Sequence, residues 1–404
     1  MSKVITRKVK ATSAAPADTA ARLKRIEAIG PTLWDEAHES DRQRMLTEKA
    51  MAALHGERLF RMLLPRDVGG DELPLPEFFQ VIEALGRFDG STAWCVCQGN
   101  GCATLAAYLD LEVAQTIWGK PDSVLAWGPG RTEARAGEGG YRIFGKTAFM
   151  SGSHRATWLA AHCNSTLEAD GTLRKDAKGG PEVRTAVFPA DSVTLSDTWD
   201  VVGLRGTGSD GIALDGLFVP DEFTIVRSAM MDRRRSDSPI YGFPQTGIYA
   251  LGFAGVALGI ARGFLDAFLA LAQEKKPRLV AEPIRENPVV QDEVAHAEAR
   301  IGAARAYLVN AVERAWREAE AQGEPSVEAR MGIRLAGTHA THEAKAAVDL
   351  LYDTAGTSAV FASTPFERRF RDVHAVALQI QGRKTHYRSV GAWLLGHPPD
   401  MEVI

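Results

Sequence analysis

The chain has 404 residues, of which 45% are hydrophobic, and a formal net charge of −4. That length and apolar content support two or three domains around a sizeable core and exclude a disordered chain. The slight acidity removes any electrostatic case for nucleic acid as a partner.

Four cysteines are too few for a disulfide scaffold. Cys95, Cys97 and Cys102 match no zinc spacing, so reduced thiols in a cytoplasmic protein are expected, with no metal. Met1 to Ala20 has no apolar core of the kind a signal peptide needs. The longest apolar stretch, Ile248 to Ala261, is too short and too glycine-rich to span a bilayer, so no membrane association is expected. The triplet Arg233-Arg234-Arg235 reads as a solvated loop.

Up to about Leu125 the pattern is helical. A turn at Asp67-Val68-Gly69-Gly70 precedes a helix from Pro76 to Phe88, and another helix begins near Asp89, with Ser91 or Thr92 as its cap. From Ala126 to about Val226 short alternating runs predict strands at Tyr141–Phe144, Trp158–His162, Thr185–Phe188 and Gly216–Pro220, which suggests a small barrel or sandwich. From Gly247 the chain is helical again. Ala250 to Ala272 carries only Arg262 and Asp266 as charges and should be a buried central helix. Val294, Ile301, Leu308 and Val312 mark a second helix, and a third runs from about Val327 to Asp353, stopping at Gly356. A fourth follows Ser363 or Thr364 as cap, with Pro365 at its first position and Phe366, Phe370, Val373, Ala377 and Ile380 as its apolar stripe. Four long helices predict an antiparallel bundle. His374 lies on the flank of the last stripe. His339, His342 and Glu343 have a helical spacing that can bind metal, but their alanine-rich setting predicts none.

The run Arg371-Asp372-Val373-His374, together with this order of regions, resembles the acyl-CoA dehydrogenase superfamily from about Leu23 onward. Within it, the closest resemblance is to the oxygenase components of two-component flavin monooxygenases. The resemblance implies an α+β, acyl-CoA dehydrogenase fold with an N-terminal helical domain (1–125), a middle β domain (126–230) and a C-terminal four-helix bundle (231–404). It implies three flavin-holding segments. Trp127-Gly128-Pro129-Gly130 would line one edge of the ring. Gly145 to Gly152 would bring Ser151 to flavin N5; His154, close by in sequence, could border the site, which strand direction alone does not decide. Gly203-Leu204-Arg205-Gly206-Thr207-Gly208-Ser209 would add backbone amides and the hydroxyls of Thr207 and Ser209. Gly356, Thr357 and Ser358 would approach the phosphate end of a neighbouring subunit's flavin, which implies a homotetramer. No dinucleotide-binding Gly-x-Gly-x-x-Gly motif is present, so bound NAD(P)H is not expected.

A dehydrogenase of this superfamily needs a carboxylate base. The two places for it fall at Ile380 or Gln381 and near Tyr249, and neither holds an acid. The monooxygenase branch implies different needs: FMNH2 or FADH2 from a separate NAD(P)H-dependent flavin reductase, O2 as co-substrate, and oxygen transfer through a flavin C4a-hydroperoxide. His374 would then be the substrate-side base and Ser151 the flavin partner. Trp94, Asn100, Phe243, Tyr249 and Phe253 would form an aromatic-lined substrate pocket. The Gly90-Ser91-Thr92-Ala93-Trp94 run of this branch is present, but the histidine that follows it in several phenol hydroxylases is missing. Asn100 can either hydrogen-bond substrate or pack there. This departure counts against phenol hydroxylation and leaves room for indole, heterocycle, nitrogen or sulfur oxidation. The alternatives are an acyl-CoA dehydrogenase-like FAD flavoprotein acting on an acyl thioester or other carbon acid, and a non-enzymatic ligand-binding protein.

Overall fold

The computed structural model describes residues 19–401 and 404. The small-residue N-terminal run Met1 to Ala20 falls almost wholly outside them. The helical first part comprises α1 (Thr19–Gln43), α2 (Glu48–Gly56), α3 (Leu75–Phe88), α4 (Gly90–Ala103) and α5 (Leu111–Trp118). The strands are β1 (Leu125–Trp127), β2 (Gly130–Gly137), β3 (Gly140–Thr147), β4 (Trp158–Leu167), β5 (Arg184–Pro189), β6 (Ile212–Pro220) and β7 (Thr224–Val226). The chain then returns to helices α6 (Gln245–Glu274), α7 (Pro288–Gln322), α8 (Val327–Ala355), α9 (Glu367–Leu378) and α10 (Thr385–Leu394).

Six of the strands lie in the order β6-β3-β2-β4-β5-β7, and β1 pairs in parallel with β4. The sheet's two faces do different work, because side chains alternate along a strand. Leu159, Ala161, Cys163, Ala186 and Phe188 join Ile143 and Leu214 in the sheet's own core. Leu125, Trp127, Ala160, Val187 and Ile225 point the other way, into the main helical core. The interface between sheet and helices is therefore lined by Trp127, Trp158, Ala160 and His162 from β1 and β4.

Helix α6 is the centre of the molecule. It is long and apolar enough to cross a membrane, but 94% of its most apolar window is buried inside the protein, as in a core helix. Its approach to α3 depends on glycine. A Cβ on Gly259 would lie 2.2 Å from the Glu83 carbonyl oxygen, so the two backbones touch where a larger residue has no room. Helices α7 and α8 pack on one another, and α8 packs on both α6 and α9.

Several local expectations need correction. Asp89, not Ser91 or Thr92, caps α4; it holds extended geometry, and its carboxylate accepts from Thr92 N at 2.8 Å. Helix α9 starts two residues after Pro365 and has no side-chain cap, because Phe366 is already helical in backbone and the Thr364 hydroxyl donates to the Phe361 carbonyl instead. Ile380 lies beyond the helix end and is 61% exposed, so it is not part of the stripe. With 12 residues, α9 is also shorter than the long fourth helix expected. The arginine triplet is not simply solvated. Arg235 donates to the Ala106 and Leu109 carbonyls and pairs with Asp67, while Arg234 donates to the Ser236, Ser238 and Gly323 carbonyls. Arg233 pairs with Asp110 at 3.0 Å.

Candidate active site

The side chains that carry chemistry meet where α4, the β3–β4 connection and the 203–209 loop converge. The Trp94 indole Nε1–H donates to Ser151 Oγ at 2.9 Å. Ser151 Oγ lies 2.7 Å from Ser209 Oγ, which lies 2.7 Å from Thr207 Oγ1. The Thr207 hydroxyl closes the run on the Leu204 carbonyl at 2.8 Å. The two ends fix its direction. An indole N–H only donates and a carbonyl only accepts, so protons run from Trp94 to Ser151, Ser209, Thr207 and Leu204. Ser151 therefore accepts one hydrogen bond, gives its own proton to Ser209, and keeps one lone pair for an incoming N–H.

The loop is held by the last block of the chain. Leu204 N donates to Asp372 Oδ1 at 2.6 Å, and Arg371 reaches the Val202 carbonyl at 2.6 Å. Burial, reinforced by nearby Asp89, pushes the Asp372 carboxyl up to about 7. Arg205 bonds the Val201 carbonyl and pairs with Asp41 and Asp200, so it braces the loop from outside. His154 Nε2 sits 2.7 Å from Asp210 Oδ2. Burial works to raise the Asp210 carboxyl, but hydrogen bonds from His154, Thr198 and Trp199 outweigh it and hold it below its ordinary range. Ser151, His154, Cys95 and Thr207 line a small cavity of about 10 Å³, room for about one water.

An aromatic stack leads away from Ser151. Trp94 stacks on Phe253 with ring centroids 3.8 Å apart, and Phe253 on Tyr249 at 5.4 Å. Burial, with the neighbouring Cys102, pushes the Tyr249 phenol well up, so it stays protonated. Trp127 meets the ring of His162 edge-on, and its carbonyl accepts from Gln98. Burial raises all four thiols, Cys102 to about 12 and Cys163 to about 11.

Other expected members lie elsewhere. Phe243 stacks on Trp316 and not on Tyr249. Asn100 is fully buried; it accepts from Leu63 N and donates to the Leu59 and Val96 carbonyls, which is the packing arrangement. His374 faces α8. Its Nδ1–H donates to the Phe370 carbonyl at 2.7 Å and its Nε2 lies 3.1 Å from Asp349, which also pairs with Lys345. It contacts none of the hydroxyl run. Gly356 follows α8 near Lys275, which bonds the Ala355 carbonyl, and Thr357 and Ser358 continue that turn. Gln381 uses both its carbonyl and side-chain oxygens to hold the buried Arg334, and His342 bonds the Gly382 carbonyl.

Phe149, two residues before Ser151, was not singled out by sequence pattern. It is 63% exposed, adopts a positive φ of 56°, and meets Trp199 edge-on. A bulky residue held in that backbone region is unusual, and its open aromatic face offers a flat ring an apolar surface. Its signal was an aromatic in an otherwise small, polar run from Gly145 to Gly152.

Residues 251–381 match the family described as acyl-CoA dehydrogenase, C-terminal domain. The fold is shared with XiaF from Streptomyces sp., solved in complex with FADH2 and glycerol: TM-score 0.87 at 22% identity, over 95% of this chain and 96% of that one. The molecule thus has the acyl-CoA dehydrogenase fold. Across 96% of its length it is 30% identical to indole-3-acetate monooxygenase of Pseudomonas putida, covering 97% of that protein. It is also 27% identical to the flavin-dependent monooxygenase oxygenase subunit HsaA of Rhodococcus jostii, over 87% of this chain and 92% of that one. The chain belongs to the flavin-dependent monooxygenases of the acyl-CoA dehydrogenase superfamily, as an oxygenase component.

Removing the Ser151 hydroxyl is expected to weaken reduced-flavin binding by about tenfold or less, one hydrogen bond being worth ~1 kcal/mol. Ser209→Ala frees the Ser151 proton and is expected to narrow the preference for reduced over oxidised flavin. Anaerobic titration of each variant with both redox forms checks this. Unchanged affinities in Ser151→Ala remove that residue from the site.

Proposed function

We propose that the protein takes reduced flavin, FMNH2 or FADH2, from a separate NAD(P)H-dependent reductase and places one atom of O2 on a small aromatic or heterocyclic molecule. The carrying observation is the aromatic stack of Tyr249, Phe253 and Trp94, which ends on a serine hydroxyl with a free accepting lone pair. No carboxylate stands at Tyr249 or at Ile380–Gln381, where a dehydrogenase would keep its base. The names of two relatives support the same chemistry: one acts on indole-3-acetate, and the other is an oxygenase subunit, which implies a partner that reduces the flavin.

When bound, the flavin supplies oxygen activation. Ser151 offers its lone pair to the ring's N–H, and Phe149 and Trp199 offer it an apolar ledge. Trp94, Phe253 and Tyr249 hold a flat substrate and keep water away. In this reading His374 takes the substrate proton, and Gly356, Thr357 and Ser358 meet the flavin of a neighbouring subunit in a homotetramer. We read the chain as three domains, residues 1–125, 126–230 and 231–404. Four buried, protonated thiols suit the reducing cytoplasm in which we place the protein.

The test is isotopic. With reduced flavin regenerated by any flavin reductase, one atom of 18O from labelled O2 is expected in the product from indoles or related heterocycles. Butyryl- or octanoyl-CoA should not reduce an artificial electron acceptor. Robust turnover of either thioester overturns the reading in favour of the dehydrogenase.

A further inference from the structure

Arg227 follows β7 directly and stands at the interface between sheet and helices. Its Nη1 lies 3.3 Å from His162 Nδ1. That is its one polar side-chain partner among the described residues, and no carboxylate lies within ion-pair distance of it. Its neighbours along the chain differ: Arg184 pairs with Glu182, and Arg233 with Asp110. Arg227 is exposed to solvent, yet burial lowers its pKa, with the Tyr249 phenol partly opposing that effect. The guanidinium thus keeps charged N–H groups available to an incoming anion.

His162 tells the same story. Burial, and then the charge of Arg227, push its pKa down to about 3, so the ring is neutral. Arg227 donates to Nδ1 and the Thr185 hydroxyl lies 2.9 Å from the same nitrogen. Because a guanidinium only donates, Nδ1 carries the lone pair and Nε2 carries the proton. That Nε2–H has no hydrogen-bond partner among the described residues. That N–H lies on the opposite edge of the ring from Nδ1, so His162 serves the guanidinium as an acceptor; the two residues are 65 apart in sequence and are brought together by the pairing of β4, β5 and β7. The His162 ring lies 4.9 Å from that of Trp127, whose side chain borders the Tyr249 phenol at the end of the aromatic stack.

We propose that Arg227, held in place by His162, is an anion anchor beside the aromatic stack, and that the substrate is a flat aromatic acid whose carboxylate it holds. A carboxylate matches the site because the guanidinium N–H groups not turned to His162 remain free to donate to its oxygens. The acid group would fix the ring's position against the stack of Tyr249, Phe253 and Trp94. This deepens the monooxygenase reading, which supplies the reason for binding such a molecule.

The experiment is anaerobic calorimetric titration of the protein loaded with reduced flavin, using indole-3-acetate and its neutral isostere indole-3-acetamide. The wild type is expected to bind the acid about 10- to 100-fold more tightly than the amide, the range of a charge-assisted contact. In Arg227→Gln that ratio is expected to collapse toward one, and Arg227→Lys should restore part of it. Equal affinity for acid and amide in the wild type overturns the proposal, as does an unchanged ratio in Arg227→Gln. The same samples exposed to labelled O2 separate the two claims. A retained acid preference with no oxygen incorporation leaves the anchor standing and defeats the monooxygenase reading. Oxygenation of both indoles without an acid preference does the reverse.

Discussion

His374→Ala is expected to keep binding reduced flavin and consuming O2 while releasing hydrogen peroxide in place of oxygenated product. Oxygen consumption belongs to the flavin, whereas transfer needs a substrate that has been positioned and relieved of a proton. A lost general base costs about 10²- to 10⁴-fold in the step it serves. The imidazole is held from both sides, by the Phe370 carbonyl and by Asp349, and its ring lies against Phe370 with centroids 4.2 Å apart. To act on substrate it must leave Asp349, so Asp349→Asn, which weakens that hold, makes the informative companion variant. Product and peroxide measured together across pH decide the matter. Full coupling in His374→Ala would mean that the histidine only packs on its helix.

Gly203→Ala is the second large effect. A Cβ at Gly203 would lie 2.2 Å from the Arg371 carbonyl oxygen and 2.5 Å from its carbon, backbone atoms that have no side-chain freedom to yield. The loop must lift from α9, breaking the bond from Leu204 N to Asp372 and shifting the Leu204 carbonyl that receives the hydroxyl run. Overpacking of this kind costs about 1–3 kcal/mol, and reduced-flavin affinity should fall more than tenfold. Gly302→Ala on α7, where a Cβ meets nothing within 4 Å, serves as the control and should be neutral or slightly stabilising. Wild-type flavin affinity in Gly203→Ala removes the 203–209 loop from the binding site.

Much of this was legible in residue pattern. The run of apolar residues from Ile248 predicts a buried helix because a helix with no polar face has nowhere else to go, and α6 is that helix. The hydroxyls of Ser151, Thr207 and Ser209 were readable as a set only through the family resemblance, because a glycine-rich turn by itself is a weak signal. Caps were less legible. Asp89 wins over Ser91 because the capping residue must have extended backbone geometry, which composition does not reveal. The sequence left Asn100 open between substrate contact and packing, and only the tertiary fold shows three backbone groups using it. Arg227 and His162 were invisible for a similar reason. Neither belongs to a motif, and strand register alone brings them together.

The four buried thiols have a consequence for how long such a catalyst survives. Any turnover that fails to couple releases an oxidant inside the molecule, and Cys95 borders the same small cavity as Ser151. Thiols react with peroxide as thiolates, and burial keeps Cys95, Cys97, Cys102 and Cys163 protonated. Burial thus leaves the sulfur beside the reaction centre in its least oxidisable form and protects the catalyst from its own by-product.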